Sequence, residues 1–151
     1  MLGYLTRSVD MFDFKLQSVL NYRKLAEEKL MLAFADTKRR LSCEKETLKK
    51  FRRKSADLIS RLKKMGERQM CAADASIYIS YINYMREEEN RQEEIVCKVE
   101  KELEEKRVEL VGASRKRRIL EIFKENKLKE YRLSLIAREQ KDLDEAGILR
   151  A

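Results

Sequence analysis

The sequence predicts an all-α protein, a long antiparallel two-helix coiled-coil hairpin. Three observations carry this reading. No proline interrupts the 151 residues. Apolar side chains recur at alternating steps of three and four, the average of 3.5 that keeps one seam of a helix facing a partner helix. Opposite charges are gathered into separate blocks that a hairpin brings side by side. A chain built this way has surfaces and ends but little enclosed space, so it reads as a scaffold, stalk or adaptor and not as an enzyme.

The first helix is expected over about residues 12–65. Leu16, Val19, Arg23, Ala26, Leu30, Ala33 and Thr37 follow the spacing. The step from Thr37 to Leu41 repeats a four, a stutter that locally unwinds a supercoil. From there Leu41, Glu44, Leu48, Phe51, Ser55, Leu58, Leu62 and Met65 keep strict alternation. The spacing fades in the stretch Gly66–Ser76, GERQMCAADAS, which reads as the connection, with Asp74 or Ser76 available to cap the next helix.

The second helix is expected over about 75–144, in one coiled-coil domain of residues 1–151. Its seam runs Tyr78, Ile82, Met85, Glu89, Gln92, Val96, Val99, Leu103, Lys106, Leu110, Ala113, Arg117, Leu120, Lys124, Lys127 and Tyr131. At the rise of an α-helix the two arms are roughly 80 Å and 100 Å long. Gly112 marks a flexible point or a close contact, and Gly147 is a plausible terminator. The polar seam residues Lys106, Arg117, Lys124 and Lys127 are expected to weaken the pairing there and to leave a surface that another protein completes.

Charge chooses the antiparallel arrangement. Residues 1–70 carry 18 Lys and Arg against 9 Asp and Glu, whereas residues 71–151 carry 17 against 18, so the first arm is the basic one. The basic block runs from Lys38 to Lys54, and the acidic block from Glu87 to Glu105. A turn near residue 70 sets these blocks against each other, which favours a monomeric hairpin over a parallel homodimer. The same turn puts Cys43 and Cys97 at similar heights, where a short thiol reagent is expected to join them.

Composition narrows the chemistry. Histidine is missing, which removes the usual general base and a common metal ligand. Cys43, Cys71 and Cys97 match no zinc or redox spacing, and their odd number argues for a reducing cytosol. No carboxylate pair sits in an apolar setting, and no glycine loop is built to cradle a phosphate. No catalytic residue, metal or cofactor is expected. The opening residues lack an apolar run of signal-peptide length, and nothing approaches the ~20 apolar residues of a membrane span.

Two surface features stand out. Tyr78, Tyr81 and Tyr84, within IYISYINYM, cluster near the turn, either packed over it or exposed as an interface. Arg115–Arg118, RKRR, precedes Lys124, Lys127 and Lys129. With a pI near 9.4 this raises nucleic-acid binding. Yet Glu121, Glu125 and Glu130 alternate with the cations, which favours a solvated helix face, and only weak binding that salt abolishes is expected.

Two further stretches carry a resemblance. Phe12–Leu30, FDFKLQSVLNYRKLAEEKL, and Arg115–Ala146, with its KLKEYR and EQKDLDEA runs, flank IYISYINYM in an order that resembles the flagellar export protein family FliJ. The resemblance implies a long antiparallel coiled coil similar to the stalk of rotary ATP synthases. It implies a soluble, non-enzymatic component at the cytoplasmic face of the flagellar basal body. Its partners would be the export ATPase hexamer, the export gate protein FlhA and export chaperones, with no nucleic acid. Carried onto this chain, Phe14, Leu16, Gln17, Leu20, Tyr22, Arg23, Leu128 and Tyr131 fall at the ATPase-proximal end, and Tyr81 and Met85 at the gate-facing region. Polar replacement of Leu16 and Leu20 is then expected to abolish ATPase stimulation, and change at Tyr81 and Met85 to spare it. The alternatives are the equivalent stalk of a virulence injectisome, a nucleic-acid-associated basic coiled coil, or a homodimeric spacer.

Overall fold

The computed structural model describes residues 12–67 and 71–148. They form two helices, α1 (Gln17–Gly66) and α2 (Ala72–Ile148), packed as an all-α helical hairpin. By contact the chain resolves into two compact units, one of residues 29–111 and one of residues 1–28 with 112–151. Both helices contribute to both units.

In the unit of residues 29–111 the seam follows the sequence spacing. Leu48 on α1 and Ile82, Met85, Val96 and Val99 on α2 are buried, and Val99 is only 1% exposed. Burying such a side chain contributes roughly 1.5–3 kcal/mol. Ala33 and Phe34 are both half-buried, so the seam reads Leu30, Phe34, Thr37, Leu41 with alternating steps. The expected stutter is thereby absorbed, because the larger Phe34 takes the place assigned to Ala33.

Three polar residues are buried in this seam: Thr37, Ser55 and Gln92. The Thr37 hydroxyl donates to the Ala33 carbonyl at 3.0 Å. Gln92 Nε2 donates to Glu44 Oε2 at 2.6 Å and to the Glu44 carbonyl at 3.2 Å. A polar pair inside a seam penalises slipped registers, because slippage leaves buried polar atoms unpaired. Ser55 Oγ has no partner of this kind.

Charges line the seam as the blocks require. Lys45 pairs with Glu100 at 2.7 Å, Arg40 with Glu102 at 3.1 Å, and Arg52 with Glu89 at 3.1 Å and with Glu93. The hydrogen bonds it donates to Glu93 and then Glu89 hold the Arg52 guanidinium above its ordinary pKa. Such exposed pairs select partner and direction more than they stabilise.

The heptad letters explain the side on which each residue lies. With Leu48 at a and Gln92 at d, Lys45 and Glu100 are both e, whereas Arg40 and Glu102 are both g. Antiparallel helices place e against e on one flank and g against g on the other. Cys43 is a c residue, beside g, and Cys97 is a b residue, beside e. The two exposed thiols therefore share a height but lie on opposite flanks. This corrects the expectation that a short reagent joins them.

Several boundaries differ from the sequence reading. Helix α1 starts at Gln17, not near 12, because residues 12–16 stay outside the helix and carry Phe12 and Phe14 onto α2. Helix α2 starts at Ala72, so neither Asp74 nor Ser76 caps it. Asp74 instead sits in the first turn, where its charge suits the helix dipole. Part of the expected connection, residues 68–70, lies outside the described residues. A side chain at Gly112 would meet open space, so that glycine serves no close contact. Gly147 lies inside α2, which reaches Ile148.

Candidate partner-binding surfaces

The unit of residues 1–28 and 112–151 brings together the aromatic residues near the start of α1 and the far part of α2. The Phe14 ring sits 5.9 Å from Phe123, and Phe12 sits 5.6 Å from Tyr131. The backbone permits this because Gln17 N donates to the Phe14 carbonyl at 2.8 Å, closing a turn just ahead of the helix. Phe14 is buried, filling the place that a helical Leu16 would have taken, and Leu16 is left exposed. Between these rings lies a cavity of about 410 Å³ lined by Phe12, Asp13, Phe14, Lys15, Leu16, Phe123, Lys127 and Tyr131.

Cations rim the aromatics. Lys124 Nζ donates to Gln17 Oε1 at 2.6 Å and stands 5.9 Å from the Phe14 ring centre. Lys127 Nζ stands 5.8 Å from Phe123 and pairs with Glu130 at 2.7 Å. Gln17 Nε2 in turn donates to Asn21 Oδ1 at 2.8 Å.

Deeper in the same unit Arg117 occupies the seam. It pairs with Glu27 across the helices and with Glu121 along α2 at 2.6 Å, and Lys24 joins Glu121 at 3.8 Å. The hydrogen bonds Arg117 donates to Glu27 and then Glu121 raise its pKa. The Glu121 carboxyl is held below its ordinary range, first by the hydrogen bond from Arg117. The expectation that Arg117 and Lys124 leave the seam open is thus corrected. Each finds its partner on α1, and Lys106 pairs along its own helix with Glu109 at 3.5 Å.

The sequence-predicted partner residues divide by exposure. Phe14 and Leu20 are buried, Leu20 to 2% exposure, while Gln17, Arg23, Leu128 and Tyr131 are half-buried. Leu16 is exposed, and Tyr22 is 67% exposed on an outer face of α1 next to exposed Val19 and Leu25. On α2 the exposed Ile119, Ile122 and Phe123 add apolar surface in the same unit. Phe12 and Phe123 are the members of this cluster that the sequence reading did not single out, and Phe14 came from the resemblance alone. The signal was two phenylalanines two residues apart, which cannot share one face of a helix.

The gate-side pair also divides. Met85 is 5% exposed and packs in the seam, whereas Tyr81 is 46% exposed and stacks on Tyr84 with ring centres 6.2 Å apart. Tyr78 is half-buried and turned toward the seam.

Among the described residues no cluster of His, Cys, Asp and Glu is arranged to hold a metal, and no helix is long and apolar enough to cross a membrane. Comparison with known proteins gives one family. The model of the flagellar FliJ protein matches residues 11–151. No curated protein and no solved structure matches the chain.

Proposed function

The chain belongs to the flagellar FliJ family, which works in flagellar protein export, and on that premise we propose that it is a non-enzymatic stalk of the export ATPase. The observation that carries this reading is the aromatic and cationic surface formed by residues 12–28 with the part of α2 from residue 112 on. It offers apolar side chains for a partner to cover, namely Leu16, Tyr22, Phe123 and Ile122, beside Lys124 and Lys127. Aromatic residues flanked by cations are the composition of interface hot spots.

The residues take different parts. Leu16 and Tyr22 meet the ATPase ring directly. Phe14, Leu20 and Leu128 hold the helices at the spacing the ring's hole accepts, and Gln17, Arg23 and Tyr131 edge that surface. Near the turn, Tyr81 docks the gate protein FlhA while Met85 fixes the helix that presents it. Export chaperones use the remaining exposed apolar side chains of α1, such as Leu25 and Leu32. No part of this chain enters the chemistry. A stalk that binds the assembled ring raises hydrolysis by mass action, because the ring's active sites lie between its subunits. The chain works at the cytoplasmic face of the basal body and reaches the membrane through these partners.

The direct test is mass measurement of the purified export ATPase with and without the chain under dilute conditions. The expected result is a shift from free subunits to a ring carrying this chain. Unchanged subunit mass with excess chain would remove the stalk reading.

A further inference from the structure

We propose that the flank of the hairpin nearest the turn adsorbs directly to an anionic bilayer surface. This goes beyond the stalk role, which brings the chain to a membrane only through protein partners. Every residue involved lies in the unit of residues 29–111.

The inference starts from a mismatch between the two charge blocks. The acidic run of α2 begins at Glu87, and between Ala72 and Arg86 the one carboxylate is Asp74. The basic run of α1 continues past it. From Phe51 to Gly66 there are six cations, Arg52, Arg53, Lys54, Arg61, Lys63 and Lys64, against Asp57 alone. Arg52 is matched by Glu89 and Glu93, and Arg61 by Asp57 at 2.9 Å. Lys54, Lys63 and Lys64 have no ion-pair partner among the described residues.

Opposite Arg61, Lys63 and Lys64 α2 presents apolar surface where acids would be needed to pair them. Ile77, Tyr81 and Tyr84 follow steps of four and three on one face, all are exposed, and the two tyrosine rings stack. The heptad positions set Lys54 and Lys64 on the flank of the tyrosines, whereas Lys63, a b residue, lies on the other. Tyr81 is a g residue facing Arg61 at g, Ile77 and Tyr84 are c residues beside it, and Lys54 and Lys64 are g and c on α1. Aromatic and aliphatic side chains therefore share a convex strip with unmatched lysines.

That pairing of chemistries selects the occupant. An acidic protein helix would satisfy the lysines, as Glu100 satisfies Lys45, but would leave Ile77 and the tyrosines in water. A bilayer interface takes both. The headgroup layer accepts an aromatic ring with its hydroxyl still hydrated, and anionic lipid attracts lysine ammonium groups whose stems lie along apolar surface. A fluid plane also needs no groove, and a convex strip provides none.

The test is co-sedimentation of the full chain with protein-free vesicles, one set of phosphatidylcholine and one of equal parts phosphatidylcholine and phosphatidylglycerol. Binding is expected to the anionic vesicles and to be lost in high salt. The pair Lys54→Glu with Lys64→Glu should lower the partition coefficient by about tenfold or more. Tyr81→Ser with Tyr84→Ser should lower it several-fold with helicity by circular dichroism unchanged. Arg115→Glu with Lys116→Glu, in the other unit, should leave it near the starting value. Equal loss from this last pair would reduce the effect to net charge and overturn the proposal. So would equal binding to pure phosphatidylcholine, or binding to duplex DNA or polyglutamate with the same dependence on Tyr81 and Tyr84. Because the vesicles carry no gate protein, failure here leaves the Tyr81 gate contact standing, and failure of gate binding leaves this result standing.

Discussion

The two units use charge in opposite ways. In residues 29–111 the buried seam is largely apolar and the cations that pair across the helices stand outside it, Lys45 against Glu100 and Arg40 against Glu102, selecting which helix pairs and in which direction. In residues 1–28 and 112–151 ions stand inside. Arg117 occupies a seam position against Glu27 and Glu121, and Lys124 covers Phe14. The first arrangement makes a dependable pair of helices. The second makes a pair whose packing depends on each charge keeping its partner, while apolar side chains remain on its surface for another protein.

The largest break in that comparison should come from placing a charge in the apolar seam. Val99→Asp buries a carboxylate with nothing to meet it and should cost about 3 kcal/mol or more, read from the urea midpoint. In the other unit Leu20→Ala should cost about 2–3 kcal/mol by emptying a site where the side chain is only 2% exposed. Equal tolerance of Val99→Asp and an exposed control such as Val108→Asp would contradict the seam assignment.

A smaller effect separates ions inside from ions outside. Arg117→Leu should lower the melting temperature more than Arg40→Leu, because it leaves a Glu27 side chain only 16% exposed without its cation. Adding Glu27→Leu should recover much of the loss, since replacing both partners of an enclosed pair is far milder than replacing one. Additive losses in the double variant would show that the two residues do not work as a pair.

Acid should loosen the same unit. Arg117 depresses the Glu121 pKa, so this contribution is present above the ordinary carboxylate pKa of about 4.3 and is lost as pH falls through the lower folded value. The Glu121→Gln variant should show a flatter fall in melting temperature across that acid window. The smallest effects are gains. Ser55→Ala removes a buried hydroxyl without a partner, and Gly112→Ala enters open space within a helix, each raising stability by at most about 1 kcal/mol.

Spacing made much of this legible. The seam from Leu41 to Met65 and from Tyr78 to Leu120 is buried or half-buried at each position named from the sequence, because one period dictates one face. Charge blocks gave the direction, and Lys45–Glu100 with Arg52–Glu93 realise it. What spacing missed lies where periodicity stops. Phe12 and Phe14 leave the helix, so no helical rule places them on Tyr131 and Phe123. Arg117 looked like a weak point because a sequence shows a charge in a seam but not the Glu27 that meets it. Leu20 and Met85 looked like contact residues, yet both are buried, and in the proposed function they support Leu16, Tyr22 and Tyr81 instead of touching a partner.

That last distinction decides how the proposed stalk is probed. Leu16 and Tyr22 are exposed, so Leu16→Ser with Tyr22→Ser changes a surface and leaves the seam intact. The most direct measurement is the hydrolysis rate of the export ATPase titrated with the chain. The account predicts a cooperative rise with the unaltered chain, the same rise with Tyr81→Ser, and no rise with Leu16→Ser and Tyr22→Ser in a protein of unchanged helicity. Full stimulation by the Leu16 and Tyr22 variant, or equal loss from the Tyr81 variant, would contradict it.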